Sequence, residues 1–300
     1  MAKVLSIKPR TASVVLTVAP AIEQFLDRDW SPHTEKNFRS DLQRFAKQFG
    51  RRRVDRILPR DIQDYLNRMK TVQGRSVSTQ TYNRHCGTLK NLFGWLERQE
   101  ELERSPMTKV ERKKVGERLP RPMTQKQVKA FFARIDPVRD WTLFSLLYGS
   151  GLRVGEALAL DIEELDLDKG TFRVVGKGDR ERIGYLSEET AKLVKRYLRE
   201  RGRPRSGPLF ESRNGTRLSY SMAWKLFRKY ADGVKASGTS LTIHQLRHTF
   251  GSERAGEIDA LILRDLMGHK SLRTTQQYAK VNPEAARKAF RTFDRQRSRR

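Results

Sequence analysis

Between residues 101 and 121 the helical rhythm of this chain stops. The stretch ELERSPMTKVERKKVGERLPR is polar, densely charged and broken by Pro and Gly, and its apolar residues lose their periodic recurrence. On both sides the rhythm is strong. Two such blocks predict two cores, because a charged, interrupted stretch cannot carry one core through itself. The expected organisation is a fringe over residues 1–16, a helical domain over 17–104, a linker over 105–121 and a second domain over 122–300.

In the first block, Ile22, Phe25 and Leu26 form the stripe of a helix beginning near Val18. Ser31-Pro32 then sets a capping residue before a proline at the first helical position, where its missing N–H costs nothing. Phe38, Leu42, Phe45, Ala46 and Phe49 line that helix, and Gly50 closes it. A third helix starts near Pro59, with Ile62, Tyr65, Leu66 and Met69 inward. A fourth begins at Ser76 or Ser78 and runs to about Arg98 over Tyr82, Cys86, Leu89, Phe93 and Leu96. Four helices of this size predict a small bundle.

Charge decides what such a bundle meets. Lys and Arg number 62 against 35 Asp and Glu, a formal net charge of +27. That imbalance, spread along folded-looking segments, points to nucleic acid. A basic tail protein or a binder of anionic membranes is the bland alternative. Arg39, Arg44, Lys47, Arg75, Asn83, Arg84 and Lys90 lie off the apolar stripes of the bundle. Each alone reads as solvated surface; together they read as a DNA-facing surface. No stretch approaches the roughly 20 apolar residues of a membrane span, and SVVLTVAPAI is too short and holds Pro20. The single Cys86 excludes an internal disulfide framework and a multi-cysteine zinc site. This composition suits a cytoplasmic protein.

The second block opens with Thr124 and Gln127 as a capping box before a helix through Val128, Phe131 and Phe132. A helix from Arg139 to Tyr148 is apolar almost all round, with Trp141, Leu143, Phe144, Leu146 and Leu147, and reads as the centre of the core. Gly149 and Gly151 end it, and Arg153 starts the next. The helix dipole disfavours a cation there, which hints at a use for Arg153. Residues 163–187 change to strand period: Leu165 and Leu167, the turn Asp168-Lys169-Gly170, TFRVV, a tight turn at 176–179, and a return strand through Leu186. Ser187 caps a helix burying Leu193, Val194, Tyr197 and Leu198. Another helix, about Ser221 to Ala231, turns Met222, Leu226, Phe227 and Tyr230 inward. Thr242 and Gln245 cap a helix that Gly256 stops. A short helix from Asp259 to Met267 leads into Gly268-His269. Asn282-Pro283 begins a last one with Ala285, Ala286, Ala289 and Phe290, followed by a basic tail.

Four boxes in this block carry chemistry. His244 and Arg247 in HQLRHTF stand three apart on one helix face. An arginine fork suits phosphate oxygens, and histidine exchanges protons near neutral pH. MGHKSLRTTQQY adds His269 and the hydroxyl of Tyr278, a possible nucleophile. GLRVGEALAL supplies Arg153, and GKGDRER places Lys177 at a hairpin tip. These boxes resemble the active-site segments of tyrosine recombinases, the phage-integrase and Xer-like family. The resemblance covers about residues 18–290. It implies a mainly α fold with a small β-sheet: a helical, SAM-like core-binding domain followed by a mixed α/β catalytic domain.

The resemblance also implies a reaction. Tyr278 attacks a scissile phosphate, leaving a 3′-phosphotyrosine and a free 5′-hydroxyl. Arg153 and Arg247 clamp the non-bridging oxygens. Lys177 protonates the leaving oxygen, His244 assists proton transfer at Tyr278, and His269 donates a hydrogen bond to the phosphate. In the family, a tetramer on two paired sites of double-stranded DNA exchanges strands through a Holliday junction. The last helix, from Pro283, passes to a neighbouring subunit, so a monomer is expected off DNA. Such reactions serve integration of mobile DNA or resolution of chromosome and plasmid dimers. Arg, Lys and His replace the carboxylates a metal nuclease needs, and no Gly-x-x-x-x-Gly-Lys-Ser/Thr loop implies ATP. No cofactor and no metal are therefore expected. A nucleoid-associated location follows, and no extra amino-terminal arm-site reader is evident. A type IB topoisomerase, or a DNA-binding protein without catalysis, remains open at this point.

Overall fold

A computed structural model describes residues 16–116, 119–176, 180–234 and 240–281. The expected fringe, but for its last residue, the tip of the 176–179 turn with Lys177, and the last helix from Pro283 lie outside them. The chain divides into two compact units between Glu117 and Arg118.

The first unit is built from α1 (Val18–Leu26), α2 (Pro32–Phe49), α3 (Pro59–Arg68) and α4 (Thr79–Arg98). Their apolar stripes meet in one core in which Phe25, Leu42, Phe45, Ile62, Tyr82 and Phe93 are fully buried. Aromatic rings fill it edge to face, as between Phe45 and Phe93 with centroids 6.1 Å apart. The Ser78 hydroxyl caps α4 by accepting from the Thr81 amide at 3.1 Å. Ser31 sits at the N-cap of α2, yet its hydroxyl donates to Thr34 Oγ1 at 2.8 Å and makes no bond to the backbone.

Part of the stretch read as a linker is docked on this unit. Pro106 and Met107 are buried in a 3-10 turn, Pro106–Lys109. The Glu111 amide donates to Gln63 Oε1 at 3.1 Å, and the Tyr82 hydroxyl donates to the Glu111 carbonyl at 3.1 Å. Backbone hydrogen bonds to side chains, which leave no apolar period in a sequence, hold this segment.

The second unit contains α5 (Gln125–Phe132), α6 (Val138–Ser150), α7 (Val154–Ala159), β1 (Leu165–Asp166), β2 (Thr171–Gly176), β3 (Arg180–Tyr185), α8 (Glu188–Glu200), α9 (Tyr220–Ala231), α10 (His244–Arg254), α11 (Ala260–Met267) and α12 (Leu272–Val281). The strands form an antiparallel sheet in the order β1-β2-β3, with Val174 opposite Arg182. α6 runs through the core, its Leu143, Phe144 and Leu146 wholly buried. Two expected core residues are corrected. Trp141 is 39% exposed, its ring set against Phe132 at the edge of α6. Met222 is 42% exposed, and the smaller Ala223 takes the inward position on α9. α12 is an element the sequence reading left without structure, and it carries Tyr278. Among the described residues, no helix is long and apolar enough to cross a membrane.

Candidate active site

The site forms where α6 ends and α7 begins. Gly151, in left-handed conformation, turns the chain so that Arg153 caps α7. Glu156, one helical turn on, accepts from the Arg153 amide at 2.9 Å and from Arg153 Nη1 at 2.7 Å. Its carboxylate also takes Arg182 Nη2 from β3 at 2.7 Å. Burial alone would raise this carboxyl. The bonds from Arg182 and from the Arg153 backbone outweigh burial and hold it below the usual carboxylate range. One carboxylate thus orients two guanidinium groups.

A third guanidinium comes from α10. Arg247 is buried, donating from Nη1 to the Gly151 carbonyl at 2.5 Å and from Nη2 to the Met267 carbonyl at 2.7 Å. Arg153 Nη2 donates to the next carbonyl, Gly268, at 2.9 Å. Arg153 and Arg247 therefore converge on the turn that ends α11. Gly268 makes that turn with φ +61°, and its bare Cα leaves room for the Arg182 guanidinium, which a Cβ would meet at 3.0 Å. Burial, and then repulsion from Arg153, lowers the pKa of Arg247 to about 10, so it stays charged at neutral pH.

His269 follows the turn, its Nδ1 2.9 Å from Thr275 Oγ1. Its ring lies nearly parallel to that of Tyr278, with centroids 6.0 Å apart. Tyr278 is 3% exposed and packs with Phe250, Leu263 and Met267. Gly251 of α10 gives its ring space, since a Cβ there would stand 2.9 Å from the ring carbons. The Tyr278 hydroxyl lies 3.1 Å from His248 Nδ1. Burial raises the pKa of Tyr278, against the charges of Arg247 and Arg153. Burial lowers His269 to about 4, helped by Arg247 and Arg153. His248 is also lowered to about 4, by burial and then by His244 and Arg247. His244 stands exposed at the rim, and no hydrogen bond holds its ring among the described residues. Desolvation, then Arg247 and Arg153, lowers its pKa. The structure thus gathers Arg153, His244, Arg247, His269 and Tyr278 from α7, α10, α12 and the turn after α11. Three guanidiniums, those of Arg153, Arg182 and Arg247, are thereby gathered in one place, and planar forks of this kind suit phosphate oxygens.

The sequence matches the model of the phage integrase family over residues 121–285 and that of the phage integrase N-terminal SAM-like domain over residues 22–100. The chain belongs to the phage integrase family. This tyrosine recombinase is 32% identical over 270 residues to the tyrosine recombinase XerD of Neisseria meningitidis serogroup B, covering 86% of this chain and 90% of that one. It is 32% identical over 281 residues to XerD of Pseudomonas aeruginosa, covering 87% and 93%. The crystal structure of XerA recombinase matches at 26% identity with TM-score 0.52, covering 92% and 98%. The Tn1549 transposon integrase, in complex with transposon right end DNA, shares the fold with TM-score 0.73 at 19% identity, over 92% and 99% of the two chains. The protein is a Xer-like, tyrosine-type site-specific recombinase.

The basic residues of the recombinase's first unit fall into two groups. Lys47, Arg75 and Lys90 are exposed without a protein partner among the described residues. The others are engaged. Arg39 pairs with Glu35 at 2.8 Å, Arg44 donates to the Lys70 carbonyl, and Arg84 pairs with buried Asp41 at 2.8 Å. Asn83 exchanges two hydrogen bonds with the Lys113 backbone, at 2.8 and 3.0 Å, and so holds the docked segment. Sequence reading missed His248 and Arg182. For His248 the available signal was its position four residues after His244, on the same helix face. Arg182 offered none, being one cation among many.

Proposed function

We propose that this recombinase forms a covalent 3′-phosphotyrosine link through Tyr278, with Arg153 and Arg247 clamping the non-bridging oxygens of the scissile phosphate. The observation that carries this reading is the convergence of both guanidiniums on the Met267 and Gly268 carbonyls, beside His269 and the Tyr278 ring. Fixed cations stabilise the charge of a phosphorane-like transition state without reorganising. Glu156 and the two carbonyls hold them in place before DNA arrives. His269, neutral at physiological pH, donates a hydrogen bond to the phosphate. Lys177 protonates the leaving 5′ oxygen. His244, expected from the resemblance to assist proton transfer at Tyr278, is not the histidine beside that hydroxyl, which is His248 at 3.1 Å; in this reading His244 contacts the phosphate from the rim instead. No metal or ATP is required, because the tyrosyl link conserves the energy of the broken phosphodiester.

Two duplexes with paired sites meet in a tetramer, and strands exchange through a Holliday junction in the cytoplasm, at the nucleoid. The segment from Pro283 docks on a neighbouring subunit. Exposed Lys47, Arg75 and Lys90 face the DNA backbone, as their charge and lack of partners suit. A nicked suicide DNA substrate tests the reading. The parent protein is expected to accumulate a covalent adduct. Tyr278→Phe is expected to form none while still binding DNA, and an adduct of normal yield in that variant contradicts the assignment.

A further inference from the structure

We propose that His248 takes the proton from the Tyr278 hydroxyl as that oxygen attacks the phosphate. The inference rests on Tyr278 being the nucleophile and adds the identity of its base. Of the two histidines on this face of α10, only His248 reaches the hydroxyl, with Nδ1 at 3.1 Å. The His244 ring lies one turn away, its centroid 6.5 Å from that of His248.

The surroundings keep His248 in the form a base needs. Arg247 and His244 face it from its own helix, Tyr278 from α12, and His269 from the turn before α12. None brings a negative charge while Tyr278 is protonated. The imidazole is therefore neutral, with a free lone pair on Nδ1 when the ring proton is on Nε2. A bound phosphate adds the missing negative charge and raises the basicity of His248 as the substrate arrives. The tyrosyl oxygen, in turn, becomes strongly acidic as its bond to phosphorus forms.

The step balances. The O–H bond of Tyr278 breaks and its proton passes to Nδ1, while the oxygen's electron pair forms the bond to phosphorus. The bond from phosphorus to the 5′ oxygen breaks, and that oxygen takes a proton from a separate donor, Lys177 in the reading above. On rejoining, His248 returns its proton to the tyrosyl oxygen.

The test uses the full chain on the nicked suicide substrate under single turnover. His248→Ala and His248→Gln are made, the second keeping a hydrogen-bonding group beside Tyr278 that cannot accept a proton. Both are expected to slow adduct formation about 10²- to 10⁴-fold, the usual reach of general-base catalysis, with DNA binding unchanged. Difluorotyrosine at position 278, a more acidic phenol, should then restore the variants far more than it speeds the parent. A normal rate in either variant, or a faster one, overturns the assignment, the faster rate marking a contact that merely parks the tyrosine. Slow variants that difluorotyrosine leaves slow overturn it too, since the defect is then one of placement. Each of these outcomes leaves Tyr278 as nucleophile; only a parent protein without an adduct at Tyr278 removes that.

Discussion

A side chain on Gly251 would meet the ring of Tyr278 at 2.9 Å. Alanine is about 1 kcal/mol better than glycine inside a helix, so Gly251→Ala favours α10 itself. The ring, being the far end of a side chain, is what gives way. Gly251→Ala is therefore expected to leave thermal stability within about 1 kcal/mol and to slow adduct formation at least tenfold. Unchanged kinetics in a suicide-substrate assay would show that the ring position does not matter. The two depressed histidines give a pH signature. His248 and His269 sit near 4 when folded, against about 6.5 in an unfolded chain. The unfolded chain binds more protons in that interval, so both groups contribute stability above about pH 6.5 that is lost as pH falls through 4. The melting temperature should drop across this window, and His248→Gln should flatten part of the drop. At this scale the sequence showed the residue types for phosphate chemistry. It did not show that Glu156 binds Arg182 as well as Arg153, because that pairing depends on β3 lying beside α7.

Helices were legible wherever a stripe and a cap coincided. Ser78, Thr124, Ser187 and Asp259 all accept hydrogen bonds from first-turn amides. Periodicity failed for elements that it does not govern. The segment at 105–113 is held by backbone hydrogen bonds, and α12 exposes most of its polar residues around a buried Thr275 and Tyr278. Trp141 and Met222 fitted a stripe by type, but each sits on the side of its helix that meets solvent. The turn between α11 and α12 is the most consequential joint, since Gly268 makes it, the Arg153 and Arg247 guanidiniums bind it, and His269 follows it. Gly268→Ala forces a Cβ into left-handed backbone, at a cost of about 1–2 kcal/mol, and presses on Arg182. A lower melting temperature together with slower cleavage is expected. Loss of stability with normal cleavage would separate the turn from the site.

On the scale of the whole molecule, charge and covalent chemistry are the two commitments. A net charge of +27 shared between two units predicts DNA binding that falls steeply with salt, on the order of 10³-fold between about 50 and 200 mM. Residues 119–300 alone should bind much more weakly than the full chain, because one unit's phosphate contacts are gone. Equal affinity in a titration would assign binding to the second unit alone. Division into two units was legible in the broken rhythm at 101–121, whereas the docking of its first half on the helical unit depends on Gln63, Tyr82 and Asn83, far away in sequence. The central claim is that one side chain carries the DNA strand. Digestion of the covalent complex to peptides, with mass spectrometry of the nucleotide-bearing one, tests it directly. The expected result is a single modified peptide with the nucleotide on Tyr278. A nucleotide on any other residue, or a complex that dissociates on denaturation, would contradict it.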